Sequence, residues 1–276
     1  DIRDNKNMKC SVPNCANSCK NRKGRSFFWL AAFDFDQTII NDNTDTVVRA
    51  LLKPRLISQD VQKLAETEGW TKYMQEIFRL LYENGTKPPA IKKAIIEINE
   101  VPGMVKCLKT IHKMNFDLII ISDSNSEFIR QWTMTHGLAN TFCEIFTNPG
   151  WFEDNGLLKI EPYHHQTECK LSAPNLCKGK LLDGFIRKKL ESGIKYEEVF
   201  YIGDGTNDIC PLLRLAAKDY GCPRKDFSMD KLLVKSNICI KANLLRWSTG
   251  FELLGQILNY VNKCCLPKMK TCYSMI

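Results

Sequence analysis

Phe27-Phe28-Trp29-Leu30-Ala31-Ala32-Phe33-Asp34-Phe35-Asp36-Gln37-Thr38 runs seven apolar residues into two carboxylates two positions apart. An apolar run of this length bounded by polar residues reads as a fully buried strand. Ending such a strand in Asp-x-Asp is a poor way to build a core, because an uncompensated carboxylate costs several kcal/mol, roughly, to desolvate. The placement makes sense where a cation and a substrate meet. On a strand, residues two apart leave the same face, so Asp34 and Asp36 are expected side by side.

The same arrangement recurs twice further along. Phe116 to Ile121 reads as a second buried strand and runs into Ser122-Asp123-Ser124-Asn125. Val199-Phe200-Tyr201-Ile202 reads as a third and runs into Gly203-Asp204-Gly205-Thr206-Asn207-Asp208. Helical periodicity separates them: helices are expected over 103–114, 126–137, 178–192, 209–217 and 248–262, short strands around Asp154-Asn155-Gly156, and a last short strand within 235–241. Buried strands alternating with helices predict an α/β fold, a Rossmann-like parallel sheet covered by helices on both faces. Residues 47–98, with apolar positions at helical spacing broken by Gly69, Gly85 and Pro88-Pro89, read as a small helical cap inserted after the first strand. The core then comprises 27–46 and 99–262, with a basic flexible tail over 1–26 and a basic, Cys-containing tail over 263–276.

In an open parallel sheet, ligands bind beyond the carboxyl ends of the strands, where all three polar clusters sit. Together they offer Asp34, Asp36, Thr38, Ser122, Asp123, Asn125, Asp204, Asn207 and Asp208. Oxygen donors without His or Cys favour Mg²⁺ over zinc or copper, and Mg²⁺ on one or two carboxylates commonly takes a substrate phosphate as a further ligand. A carboxylate nucleophile divides phosphoryl transfer into two steps through an aspartyl-phosphate, and a second carboxyl can serve the leaving oxygen and then the water. Each residue also has a plainer reading. Ser122 or Asp123 could cap the helix that follows, and Asp45 the first helix of the insert. Asp208 could bind metal through water or only orient its loop.

Asp34-Phe35-Asp36-Gln37-Thr38, Ser122, a later Lys, and Gly203-Asp204-Gly205-Thr206-Asn207-Asp208 resemble, in order, the four motifs of haloacid-dehalogenase-superfamily phosphatases. The resemblance implies Asp34 as nucleophile and Asp36 as general acid/base. It implies Mg²⁺ on Asp34, Asp204 and the Asp36 carbonyl, with Asn207 and Asp208 behind them. The segments Asp34 to Asp45, Ile121 to Asn125, Pro174-Asn175-Leu176-Cys177-Lys178 and Gly205 to Pro211 look like one branch. That branch holds phosphoethanolamine/phosphocholine phosphatases and the related pyridoxal phosphate phosphatases. It implies Ser122 and Lys178 on the phosphoryl group, and Asp45 and Asp123 at the substrate head group. Carboxylates there suit ethanolamine and choline, which are cations. The expected substrate is a small phosphomonoester, phosphoethanolamine or phosphocholine ahead of pyridoxal 5′-phosphate. A non-catalytic phosphate-binding protein is the remote alternative. The segment Thr167 to Pro174 departs from the branch, which usually carries more Cys and a His there; any structural or metal role of that segment is weakened.

Composition agrees with an ordinary globular chain: 276 residues, 25% charged and 44% hydrophobic. No apolar run approaches a membrane span, and the polar, basic start carries no secretory signal. The cytoplasm is the expected compartment, with extracellular or vesicular locations left open. The net charge of +8 is concentrated at the ends. Residues 1–25 hold seven Lys/Arg against two Asp, and 263–276 hold three Lys and no acid, so the body is neutral. Nucleic acid is therefore not an expected partner; contact of the tails with an anionic surface is a weaker expectation. Of thirteen Cys, Cys10, Cys15 and Cys19 have no zinc-type spacing, and those in the body are expected to be small buried apolar residues.

Overall fold

The computed structural model describes residues 28–265, with side chains through 261. The expectations for both tails, including Cys10, Cys15 and Cys19, lie outside the described residues.

The central strand β1 (Trp29–Phe33) is buried at every position. It pairs in parallel with β2 (Phe116–Asn125) on one side and β6 (Glu198–Gly203) on the other. The sheet extends outward to β3 (Glu144–Asn148), and on the other side to β7 (Tyr220–Pro223) and β8 (Asn243–Leu244), in the order β3-β2-β1-β6-β7-β8. Every pairing is parallel. A separate antiparallel hairpin joins β4 (Gly150–Phe152) and β5 (Leu158–Ile160) around the Asp154-Asn155-Gly156 turn. This is the expected α/β sheet. Phe33 is in register with both Ile120 and Ile202, so Asp34 and Gly203 follow at the level where β2, which continues to Asn125, enters Ile121-Ser122.

Alternation sorts the strand side chains into two clusters. Ala31, Phe33, Leu118, Ile120, Phe200 and Ile202 face one way; Leu30, Ala32, Ile119, Ile121, Val199 and Tyr201 face the other. Helices α5 (Met104–Lys113), α6 (Ser126–Thr135) and α10 (Gly250–Cys265) supply the first cluster, and α7 (Lys178–Glu191) with α8 (Ile209–Leu212) the second. Between β1 and α5 run α1 (Thr44–Arg49), α2 (Gln59–Thr67), α3 (Trp70–Glu83) and α4 (Pro88–Ile96). Their apolar faces join the first cluster; Phe78 of α3 meets Phe128 of α6 edge to face, with centroids 5.8 Å apart. Among the described residues no helix is long and apolar enough to cross a membrane.

Three expectations change. The helix expected over 209–217 stops at Leu212, because Asp219 turns the chain early. Its carboxylate accepts from the amides of Val199 (3.0 Å) and Ala216 (2.8 Å) and directs the chain into β7. Residues 228–235 form a further helix, α9 (Ser228–Lys235), and 236–242 is not a strand. Ile238 and Ile240 alternate and pack on the second cluster, but pairing with β7 begins only at Asn243. Finally, Asp36 is not on a strand. The chain turns after Asp34, with the amides of Thr38, Ile39 and Ile40 all directed at the Phe35 carbonyl. Turn geometry, not strand alternation, places Asp36.

Candidate active site

Asp34, the first residue after β1, is buried, and its amide donates to the Ile202 carbonyl of β6 at 2.9 Å. Its Oδ1 accepts from the Phe35 amide (2.7 Å), and its Oδ2 lies 2.8 Å from Lys178 Nζ. Lys178 opens α7 and is 1% exposed. Its ammonium also lies 2.8 Å from Asp208 Oδ1, so two carboxylates share one buried cation. Burial works against that charge, but Asp208 and Asp34 outweigh it and hold the lysine above its usual range.

Asp208 is saturated. Tyr201 Oη (2.6 Å) joins Lys178 at Oδ1, and the amides of Asp204 (3.0 Å) and Gly205 (2.9 Å) donate to Oδ2. This closeness requires glycine at 203, where a Cβ would lie 2.4 Å from Asp208 Oδ2. Asp204 points back toward β1, and Thr38 Oγ1 donates to it at 3.2 Å. Carboxylate oxygens of Asp34, Asp204 and Asp208 all lie within 4.8 Å of one another. The crowding shows in their protonation. Burial, only partly offset by Lys178, raises Asp34 to about 7; burial and the charges of Asp34 and Asp208 raise Asp204 to about 8.

Asp36 is held by the loop that leads into α1. Asn43 Nδ2 (3.1 Å) and Thr44 Oγ1 (3.0 Å) donate to Oδ2, and the Thr44 amide (3.2 Å) to Oδ1. Thr44 Oγ1 in turn meets Ser124 Oγ at 2.8 Å, tying this loop to the end of β2. Burial, then the charges of Asp45 and Asp34, raise Asp36 well above the ordinary carboxylate range. A carboxyl that keeps its proton near neutrality can serve as a general acid.

Ser122 is buried at the end of β2 and its Oγ accepts from the Ser124 amide at 3.2 Å. It does not cap α6, and neither does Asp123; Asn125 does, accepting from the Phe128 amide. Asp123 accepts from Asn175 (3.2 Å) and Asn207 (2.6 Å), which links the end of β2 to the loop before α7 and to the turn after β6. Asp45 likewise does not cap α1, since Asn43 takes that role. It is 4% exposed, and its Oδ2 accepts from Trp70 Nε1 at 2.6 Å while Oδ1 has no partner. Burial raises Asp45 to about 6, even with the Trp70 hydrogen bond opposing. A buried, half-satisfied carboxylate is a standing cost, best explained by a donor or cation that is not part of the chain.

Asp34, Asp36, Asp45, Asp123, Lys178, Asp204, Asn207 and Asp208 are thus joined by hydrogen bonds, ion pairs or mutual charge effects at the carboxyl ends of β1, β2 and β6, while Asn125 serves as the cap of α6. Sequence reasoning missed Trp70 and Tyr201. Tyr201 reads as a strand residue in an apolar run, and nothing local shows its hydroxyl reaching Asp208. Trp70 reads as the start of a helix 25 residues from its carboxylate.

Similarity to known proteins agrees with this geometry. A family model described as Putative Phosphatase matches residues 29–261. A pyridoxal phosphate phosphatase from Bos taurus is 35% identical, covering 83% of this chain and 96% of the relative. A phosphoethanolamine/phosphocholine phosphatase from Homo sapiens is 30% identical, covering 89% and 96%. The crystal structure of a HAD-family hydrolase from Salmonella enterica superposes with a TM-score of 0.56 at 19% identity, over 82% of this chain and 69% of that one. The chain belongs to the Putative Phosphatase family, is a phosphatase, and has an α/β fold like that of haloacid-dehalogenase-type hydrolases.

Proposed function

We propose that the chain hydrolyses small phosphomonoesters with a cationic head group, phosphoethanolamine or phosphocholine, through an aspartyl-phosphate on Asp34. Asp34 attacks phosphorus in line with the ester oxygen, the P–O ester bond breaks, and Asp36 delivers its proton to the leaving alcohol. Asp36 then takes a proton from water, which attacks the phosphoryl group and restores Asp34. Lys178 and Ser122 hold the non-bridging oxygens, and Asp208 with Tyr201 keeps Lys178 aimed.

The donors fit Mg²⁺. They are hard oxygens only, and the raised protonation of Asp34 and Asp204 marks a surplus of negative charge in want of a cation. Asp34, Asp204 and the Asp36 carbonyl would hold the ion; Asp208, with all its capacity taken, acts behind them. Bound there, Mg²⁺ supplies charge neutralisation to the phosphoryl oxygens.

The observation that carries the substrate class is Asp45. Its Oδ1 is buried without a partner, its charge acts on Asp36 and is acted on by Asp123, and an ammonium or quaternary nitrogen is the complement it lacks. Trp70 adds an indole beside it, a surface that favours alkylammonium groups. A second reading, pyridoxal 5′-phosphate, has its own support. Trp70 and Tyr73 form a ring pair with centroids 5.1 Å apart, and Trp70 is 44% exposed, so a flat aromatic substrate has a surface to stack on. The relative from Bos taurus is named for that substrate.

The test is a comparison of kcat/KM with Mg²⁺ over phosphoethanolamine, phosphocholine, pyridoxal 5′-phosphate, phosphoserine and inorganic pyrophosphate, beside Asp34→Asn. The reading expects the first two to lead and the variant to be inactive with any metal. Preference for phosphoserine or pyrophosphate would refute the substrate class, and unchanged turnover in Asp34→Asn would refute the mechanism.

A further inference from the structure

Around the start of α7 and α8, next to Lys178 in the chain, three thiols converge. Cys169 lies in the loop before α7, Cys177 immediately precedes Lys178, and Cys210 lies in α8, two residues past Asp208. The Sγ atoms of Cys169 and Cys210 are 3.4 Å apart and those of Cys177 and Cys210 are 3.7 Å apart; all three fall within 4.8 Å of one another. Ser172 Oγ stands 3.5 Å from both Cys169 Sγ and Cys177 Sγ. A tetrahedron with metal–sulfur bonds of about 2.3 Å has S···S edges of about 3.8 Å, and with one oxygen donor its S···O edges are about 3.6 Å. Four of the six edges, at 3.4–3.7 Å, already stand close to those values, and the Cys169–Cys177 edge lies within 4.8 Å.

We propose that Cys169, Cys177 and Cys210, with the Ser172 hydroxyl or a water it holds as fourth donor, form a structural site for a thiophilic divalent cation, zinc by the chemistry of its donors. Soft sulfur donors select against the Mg²⁺ of the catalytic crevice, so the two sites are chemically separate. Binding replaces the thiol protons, which leave to solvent.

The loop is built to present these atoms. His164 and Gln166 donate their amides to the carbonyls of Asn175 and Pro174, closing a narrow loop. The Gln166 side chain fills it, donating to the carbonyls of Cys169, Ser172 and Ala173 while accepting from the Cys169 amide. His164 Nε2 accepts from the Cys177 amide at 3.0 Å. The Arg214 side chain packs against Cys210 over Gly179, where a Cβ would meet Arg214 Nε at 2.3 Å and Cys210 Sγ at 2.6 Å. A guanidinium there offsets the negative charge of a trithiolate site. A cavity of about 440 Å³, lined by Cys169, Cys177, Lys180 and Arg214 among others, gives an entry path. The consequence for the fold is a clamp: the metal would join the 164–177 loop to the start of α8, close in the chain to Lys178 and Asp208. Among the described residues Cys107, Cys177, Cys210 and Cys222 are buried as expected, Cys169 is half-buried, and Cys143 and Cys239 are exposed.

The experiment measures metal bound to the full chain, prepared without a metal-binding tag under reducing conditions, by elemental analysis. The result expected is one zinc per chain, lost in Cys169→Ala and kept in a Cys10→Ala/Cys15→Ala/Cys19→Ala variant. Ser172→Cys should hold zinc at least tenfold more tightly against a competing chelator. Cobalt reconstitution of the wild-type chain should give a thiolate-to-metal charge-transfer band, and X-ray absorption of the zinc form should show three sulfur neighbours; both stand even if Cys169→Ala fails to fold. A wild-type chain that takes up neither zinc nor cobalt would overturn the proposal. So would zinc that survives Cys169→Ala or vanishes with the N-terminal variant. A Cys169–Cys177 disulfide in the metal-free, non-reduced chain, with no zinc uptake after reduction, would replace the site with a redox pair.

Discussion

The two ends of the proposed active site, the one assigned to the phosphate and the one assigned to the head group, are built differently. At the phosphate end, Asp34, Lys178 and Asp208 come from the ends of β1 and β6 and the start of α7, and Asp208 has every acceptor position used. At the head-group end, Asp45 leaves one oxygen without a partner, and the other is held by a Trp70 that is half in solvent on α3. Rigid strand ends with saturated contacts suit a reaction that must not change. A carboxylate held by one helix residue suits a pocket whose substrate can be exchanged by altering few contacts. The proposed function thus ties the reaction to the sheet and the choice of substrate to the helices between β1 and α5.

The largest effect expected is at the phosphate end. Asp34→Asn should abolish turnover, and rapid acid quench of the wild-type chain with radiolabelled substrate should trap a phosphoenzyme that the variant lacks; a phosphoenzyme in the variant would move the nucleophile elsewhere. Lys178→Met should lower kcat by about 10²-fold or more for every substrate alike, because it removes a charge aimed at the phosphoryl group. A loss confined to cationic substrates would break the division between the two ends. Next comes pH. Asp34 and Asp204 are raised to about 7 and 8 from an ordinary value of about 3.9. A carboxyl raised in the folded state contributes stability at low pH that is lost as pH rises through the folded value. The metal-free chain should thus lose this contribution between about pH 4 and pH 8, and Mg²⁺, which competes with those protons, should raise Tm more at pH 8 than at pH 5. Equal Mg²⁺ shifts at both pH values would contradict the assignment of Asp34 and Asp204 to the metal. The smallest effect belongs to Trp70→Phe. It removes the hydrogen bond to Asp45 and part of the aromatic face while keeping a ring, so kcat should hold while KM for phosphocholine rises a few-fold; a fall in kcat for all substrates would extend the phosphate end into the insert.

The sheet and the crevice were legible because burying carboxylates at strand ends is costly wherever it occurs, and three such ends in one chain have few explanations. Asp34, Ser122, Asp123 and Asp204 stand out on that ground alone. Asp36 was found for a reason that does not hold: it was assigned to a strand face, and a turn places it. Trp70 and Tyr201 were not legible because their polar atoms act across the fold, through contacts that no local spacing encodes. The same is true of Cys169, Cys177 and Cys210, which are separated by a helix and a strand. The strand expected over 235–241 shows the converse: its alternation is real, but alternation reports burial of one face and not the presence of a pairing neighbour.

The division between a fixed phosphate end and an exchangeable head-group end is tested most directly by one charge. Phosphocholine and its carbon isostere 3,3-dimethylbutyl phosphate differ only in whether the head group is cationic. Their kcat/KM ratio, measured in the wild-type chain and in Asp45→Asn, should favour phosphocholine by about tenfold or more in the first, as a buried carboxylate facing a cation warrants. It should fall toward one in the second, with turnover of the isostere retained. A ratio unchanged by Asp45→Asn would show that Asp45 does not read the head group and that the substrate is chosen elsewhere.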